Sequence, residues 1–331
     1  MRRREFFYFG FSAAIAASAS CRVAAAPSST LGGRPFSDPS EVAPMPPEWV
    51  SRQIQRPEGV DVALAIDQQL YPAILPLVQR YAAANRLKVA MIEGTCGVAA
   101  GALADKSADI TGMCCPPGSL DRMPGVRYHT LGIASLALIV HPRNPVTDIR
   151  LDQARALFGG QFRSWADLPS SGFATRAGAE VEAVGRLHCK SRPGHWRLLL
   201  DDESLFSPDM VEVPAIKDMI IEVARSPTAI GYETTWFIAH HARDGRVKPV
   251  RLNGIDPRDA ASLARGAYPL YRVFGITSWQ GRDANPKAAA LVAWLVAHAD
   301  EMAPEYGIIP VSALRRQGWR FDRDELVGEP G

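Results

Sequence analysis

Past its first twenty positions the sequence has no run of 18 uninterrupted apolar residues, so nothing there is long enough to span a bilayer as a helix. It also lacks an excess of charge. Lys and Arg number 37 against 35 Asp and Glu, a formal net charge of +2, and no basic patch argues for nucleic acid. The familiar catalytic signatures are missing too: no G-x-S-x-G elbow, no Walker loop, no G-x-G-x-x-G after a strand and no H-E-x-x-H. Cys189 beside His188 is the one nucleophile-and-base pairing, and adjacent side chains rarely reach each other, so no enzyme activity is expected. Cysteine is scarce, five in 331 residues, with no C-x-x-C or H-x-x-x-H metal spacing.

What is present suits a globular protein. The chain is 47% hydrophobic and 22% charged, enough to bury one large core or two medium ones. Residues 1–19 read as an export signal. Arg2-Arg3-Arg4 is a positive start, Phe6 to Ala17 an apolar stretch too short to cross a membrane, and Ala17-Ser18-Ala19 a small-residue cleavage site. Arg3-Arg4-Glu5-Phe6-Phe7 also fits the twin-arginine pattern, whose pathway carries folded proteins, often with a cofactor already inserted. The expected location is periplasmic or otherwise extracytoplasmic, with Cys21 a candidate lipid-anchor residue. Removal of residues 1–19 leaves 34 basic and 34 acidic residues, a neutral mature chain. Residues 20–59 are rich in Pro, Ser, Ala and Gly and read as a flexible leader.

From Val60 onward strands and helices alternate. Val62–Ile66 is a short apolar run, as in a buried parallel strand. Tyr71–Ala84 has helical spacing, with Ile74, Leu75, Val78 and Tyr81 on one face. Lys88–Ile92 is a second strand, Gly94-Thr95-Cys96-Gly97 a tight turn into the helix Val98–Leu103, and Asp109–Thr111 a third strand. This βαβαβ order implies a doubly wound sheet with right-handed crossovers. Ser135–Val140 reads as a hinge strand ending at His141-Pro142. A second α/β unit follows: the helix Leu151–Phe158, the strand Val181–Val184, a helix from about Pro193, the helix Ile216–Ala224 and the strand Ala229–Tyr232. Tyr268–Thr277 reads as a return strand, and Lys287–Ala299 as a helix packing back on the first unit.

Four segments, in order, resemble the phosphate-binding proteins of bacterial ABC transporters. Asn144-Pro145-Val146, then Leu151 through Gly160 and Ser164-Trp165-Ala166-Asp167-Leu168, is similar to the family's "NPV…LTLEQLRDIFTGKITNWSDL". Ala229-Ile230-Gly231-Tyr232 resembles its "IGY", Gly266 through Arg272 its "GxYPLxRP", and Tyr306 through Val311 its "GFVPL". The resemblance spans roughly residues 60–315 and implies a two-lobed type II periplasmic binding protein. Each lobe is then a doubly wound mixed sheet flanked by helices, with the ligand cleft between lobes. Lobe 1 would comprise residues 60–140 and 270–325, lobe 2 residues 141–269. The resemblance further implies a monomeric solute binder holding a small inorganic ligand, with a membrane permease or a sensor kinase as partner.

Four loops would line the cleft. One carries Asp67, Gln68 and Gln69 where the family has Gly, Ser or Thr. Thr95, Cys96 and Gly97 are similar to the family's "GSG" loop, where a helix N-terminus offers unpaired N–H groups to an anion. Thr111 through Pro116 falls on "GxxS(D/R)xP", so Cys114 stands for a serine and Cys115 for a charged residue. Arg186 matches the arginine of "RxxxSGTxxxF", but the "SGT" falls on Lys190-Ser191-Arg192, with His188, Cys189 and His195 nearby. The expected ligand-binding residues are therefore Gln68, Gln69, Thr95, Cys96, Gly97, Cys114, Cys115, Arg186, His188, Cys189 and Ser191.

Four thiols on ligand loops leave three readings open. Cys96, Cys114, Cys115 and Cys189, with His188 or His195, form a candidate set for a soft metal ion, a metalloid or an iron–sulfur cluster. Oxidation in the periplasm would instead pair Cys96 with Cys114 or Cys189. On the third reading, buried cysteines simply replace serines around an oxyanion. On an extended strand Cys114 and Cys115 would point in different directions. Elsewhere His240-His241 reads as a solvated helix end, His141 as a hinge residue, and Trp165, Trp236, Trp279 and Trp294 as packing. Glu93 and Asp109, at strand ends, are candidate helix caps or a carboxylate pair.

Overall fold

The computed structural model describes residues 36, 37, 39, 40, 42, 55–115, 117, 122–169, 171–173, 178–187, 198–200 and 202–331. The export signal, Cys21, His188, Cys189, Ser191, His195 and the helix expected from about Pro193 lie outside the described residues.

The first βαβαβ run forms where the apolar pattern puts it: β1 Val62–Asp67, α1 Leu70–Asn85, β2 Val89–Gly94, α2 Cys96–Ala104 and β3 Ile110–Met113. All six residues of β1 are buried, as expected for a parallel strand covered on both faces. The second half contains β4 Val126–Val140, β5 Asp148–Ile149, α3 Leu151–Phe158, β6 Glu182–Gly185, β7 Val211–Glu212, α4 Ile216–Arg225, β8 Ala229–Thr234 and α5 Thr235–His240. It continues with β9 Lys248–Pro249, β10 Arg251–Leu252 and α6 Ala260–Ala264. The chain then returns through β11 Tyr271–Trp279, α7 Pro286–Ala297, β12 Ile309–Pro310, α8 Val311–Arg316, β13 Arg320–Asp322 and β14 Glu325–Gly328.

The strand order is β2-β1-β3-β11-β4-β8-β6-β7. β1 pairs in parallel with β2 and β3, β6 with β7 and β8, while β11 and β4 run antiparallel to their neighbours. β4 joins the two halves. Its residues from Val126 to Ser135 pair with β11, and those from Leu136 to Val140 pair with β8. The sequence suggested only Ser135–Val140, because Arg127, Tyr128, His129 and Thr130 break the apolar pattern of the first half. Gly132 is required there: β12 crosses β4 at this point, and a Cβ would collide with the Ile309 carbonyl. The return strand begins at Tyr271, not Tyr268, with Pro269 just outside it, since proline cannot donate to the ladder.

Two apolar clusters flank the handover in β4. One gathers Leu64, Ile66, Ile74, Phe274, Leu291 and Leu295 from β1, α1, β11 and α7. The other gathers Phe158, Trp165, Met219, Val223 and Tyr232 from α3, the Ser164 turn, α4 and β8. The C-terminal hairpin of β13 and β14, which the sequence left unassigned, docks on β4 through Leu326 N donating to Thr130 Oγ1 at 2.9 Å.

Candidate functional site

Three chain segments end at one place. β1 ends at Asp67, β3 at Met113, and α2 begins at Cys96. Parallel pairing of β1 with β3 aligns their C-terminal ends, and the short β2–α2 turn brings the N-terminus of α2 beside them. Cys96 Sγ lies 3.2 Å from Cys114 Sγ, and Cys114 Sγ lies 4.0 Å from Cys115 Sγ. A carboxylate oxygen of Asp67 and the sulfurs of Cys96 and Cys114 all lie within 4.8 Å of one another, and all three residues are buried. β3 stops before the cysteines, so Cys114 and Cys115 occupy a bend rather than the extended strand expected of them. The bend turns both thiols inward, correcting the expectation of opposite directions.

Electrostatics follow from this burial. Asp67 is pushed up to about 7, first by loss of solvent and then by the Cys114 sulfur, against the pull of Arg272. The Cys114 thiol is lowered because Cys115 hydrogen-bonds to its thiolate, and Arg272 adds to the effect. Cys115, as the partner that keeps its proton, is driven well up. Cys114 and Cys115 are thus chemically distinct, with Cys114 the more disposed to carry charge.

A second polar group adjoins the first. Glu233, at the end of β8, has no exposed surface and lies 3.6 Å from both Arg186 Nη1 and Arg272 Nη1. The handover in β4 accounts for the meeting. Arg272 pairs with Ala134 on one side of the strand and Glu233 with Ala137 on the other. Arg272 Nε donates to the Cys114 carbonyl at 3.4 Å, which ties the arginine pair to the thiol bend. Burial raises Glu233, against the attraction of the two guanidiniums. Among the described residues, Arg186 Nε and Nη1, Arg272 Nη1 and Glu233 Oε2 are buried without a hydrogen-bond partner. Such groups are costly in an apolar interior and mark a place where a polar species belongs.

The other expected residues take supporting roles. Gln69 is buried, accepting from Thr234 Oγ1 at 2.8 Å and donating to the Tyr306 carbonyl at 2.9 Å. It therefore straps the loop after β1 to the start of α5. Gln68 is half-buried beside it. Thr95 Oγ1 accepts from Val98 N as the cap of α2, and Gly97 follows in the first turn of that helix. Asp109 binds Ala63 N at 2.8 Å and Arg56 at 2.7 Å, so it anchors a strand edge rather than capping a helix, while Glu93 is exposed on β2. His240 closes α5 and His241 meets Asp244 at 2.9 Å. His141 Nδ1 accepts from Arg143 N at 3.0 Å, and Trp165 is fully buried. Glu233 and Arg272 were not foreseen as site residues, and Asp67 was placed on a cleft loop without being counted among the ligand-binding residues. Arg272 stood inside a quoted motif, whereas Asp67 and Glu233 carry only the weak signal of a carboxylate closing an apolar strand.

No protein-family model matches the chain, and no curated protein matches it in sequence. Solved structures match it in fold. A phosphate ABC transporter substrate-binding protein with bound phosphate from Clostridium perfringens superposes with a TM-score of 0.63 at 14% identity, covering 76% of this chain and 99% of that one. An ABC-type phosphate transport receptor from Vibrio cholerae gives 0.59 at 20% identity, over 75% of this chain and 99% of that one. PstS from Borrelia burgdorferi gives 0.50 at 15% identity, over 75% and 98%. No helix among the described residues is long and apolar enough to cross a membrane. By these superpositions the chain has the α/β fold of these substrate receptors, the two-lobed type II periplasmic binding fold.

Proposed function

We propose that this protein is an extracytoplasmic solute-binding protein whose ligand is a thiophilic ion, a soft divalent metal or a trivalent metalloid, held by Asp67, Cys96 and Cys114 and passed to a membrane permease. The observation that carries this reading is the convergence of two sulfurs and a carboxylate, from three separate segments, within 4.8 Å. A thiolate–metal bond of about 2.3 Å in tetrahedral geometry separates two sulfurs by about 3.8 Å, so Cys96 and Cys114 need part by only about half an ångström. Two sulfurs this close flank a single ion rather than the separate irons of a cluster. Three protein donors leave a fourth position open, as suits a cargo that must be released. Charge also balances for a divalent ion. Two thiolates, Asp67 and Glu233 then oppose Arg186, Arg272 and the ion, leaving no net buried charge. Among the described residues, this group takes up Cys96 and Cys114 of the cysteine and histidine set read from the sequence, with Cys115 as hydrogen-bond donor to Cys114, while His188, Cys189 and His195 lie outside the described residues.

A second reading draws on a different observation. The unpartnered N–H groups of Arg186 and Arg272 suit an oxyanion, with the thiols protonated. Calorimetric titration of reduced protein with zinc, arsenite and phosphate separates the two. The soft-ion reading expects Cys114→Ser to weaken zinc or arsenite binding by more than about 100-fold, about 2.7 kcal/mol, with phosphate inert. Phosphate binding lost in Arg186→Ala but kept in Cys114→Ser would reverse the assignment. A sensor-kinase partner uses the same clamp and is distinguished by which membrane protein the loaded form captures.

A further inference from the structure

We propose that Cys96 and Cys114 are a dithiol–disulfide pair whose oxidation closes the ligand site, so that the protein loads only in its reduced state. The inference goes beyond the ligand reading: formation of the bond stands on geometry and on an extracytoplasmic location, and its consequence for loading rests on that reading.

The two sulfurs are 3.2 Å apart, hydrogen-bonded thiols rather than a covalent pair, whose bond would be about 2.05 Å. They belong to different segments, the first residue of α2 and the bend after β3, so closure asks for a small rotation of two side chains and no exchange of strands. Among the described residues the competing bond is poorer. Cys114 and Cys115 are neighbours in sequence, and consecutive Cα atoms about 3.8 Å apart fall below the ordinary disulfide range of about 4.4–6.8 Å. Their sulfurs are also farther apart, at 4.0 Å. An extracytoplasmic location supplies the oxidant class, a disulfide carried by a small thiol or by an oxidoreductase. Cys96, the less deeply buried of the two at 5% against 1%, attacks that disulfide, forms the mixed disulfide and releases one thiol. Cys114 then displaces the second thiol. Two S–H bonds are lost and one S–S bond is formed, and the two electrons and two protons leave with the two product thiols. The bond consumes two of the three donors, leaving Asp67 as a lone carboxylate that no soft ion prefers.

The test uses the full folded chain and glutathione disulfide, followed by alkylation, trypsin and mass spectrometry. Cleavage after Lys88, Lys106 and Arg122 places Cys96 and the Cys114-Cys115 pair on separate peptides. The expected product is a cross-link between these peptides that persists in Cys115→Ser and is absent in Cys114→Ser, each variant keeping the wild-type melting temperature when reduced. A link to Cys189, a link surviving in Cys114→Ser, or a glutathione adduct alone would overturn the pair. Zinc titration of the mapped disulfide form should show binding weakened by at least about 100-fold and restored by dithiothreitol. Undiminished zinc binding by that form would overturn the closure. If the reduced protein binds neither zinc nor arsenite, the ligand reading fails, and the peptide map alone decides the pair.

Discussion

At the scale of single residues, burial decides the chemistry. Asp67 lies where its charge is poorly solvated, and its folded value of about 7 stands above the ordinary 3.8. The folded state of the ligand-free protein therefore holds a proton that the unfolded chain gives up above pH 3.8. Stability conferred by this group is fully present below that pH and is lost as pH rises toward 7. The loss is on the order of 4 kcal/mol across that window. Urea titrations at pH 4.5, 6 and 8 should show this decline for the wild type and a flatter profile for Asp67→Asn; equal slopes would mean that Asp67 is ionised throughout. Neighbouring cysteines illustrate the same rule. Cys114 and Cys115 share an environment, yet Cys115 holds the proton and Cys114 is eased toward thiolate by accepting its hydrogen bond.

At the scale of elements, α2 matters most to the site because its first residue is Cys96. The helix is short and made of small residues, CGVAAGALA, so it has little side-chain area with which to fix its own start. Its register depends on Thr95, whose hydroxyl accepts from Val98 N. Thr95→Ala should cost about 1 kcal/mol of stability. The same change should loosen Cys96 and lower zinc affinity, although Thr95 is not one of the three proposed donors. A Thr95→Ser variant that restores both would assign the effect to the cap. Unchanged affinity in Thr95→Ala would show that the packing of Cys96, Ala99 and Ala100 holds the helix without it. β4 plays the corresponding role on the other side. Because one strand pairs first with β11 and then with β8, Arg272 and Glu233 meet although each sits on a different partner strand.

For the whole molecule, the C-terminal hairpin is the unexpected structural part. Arg122 is buried, its Nη1 donating to Glu325 Oε2 at 3.0 Å and its Nη2 also bonded to Glu325. The same guanidinium binds Ser37 Oγ at 2.9 Å and Ser37 O at 3.0 Å, so a residue of the leader, the segment before β4 and the last hairpin share one anchor. Glu325→Ala leaves Arg122 buried and uncompensated, and should destabilise the protein by about 3–5 kcal/mol, seen as a lower melting temperature. A change within 1 °C would place the hairpin outside the cooperative unit.

The sequence by itself determined the architecture, because apolar periodicity and turn residues act locally. Buried runs such as Val62–Ile66, the amphipathic Ile216–Ala224 and the order of βα units are readable wherever side-chain pattern and backbone period agree. It also singled out Cys96, Cys114, Cys115 and Arg186 as residues of interest, since scarce residue types stand out in a familiar frame. Only the tertiary structure decided which groups touch. Asp67 joins Cys96 and Cys114 through parallel strand register, Cys115 turns inward because β3 ends one residue before the thiol pair, and Glu233 reaches two arginines across β4. Contacts between strands distant in the chain depend on register and on where each strand stops, and neither quantity is carried by local pattern.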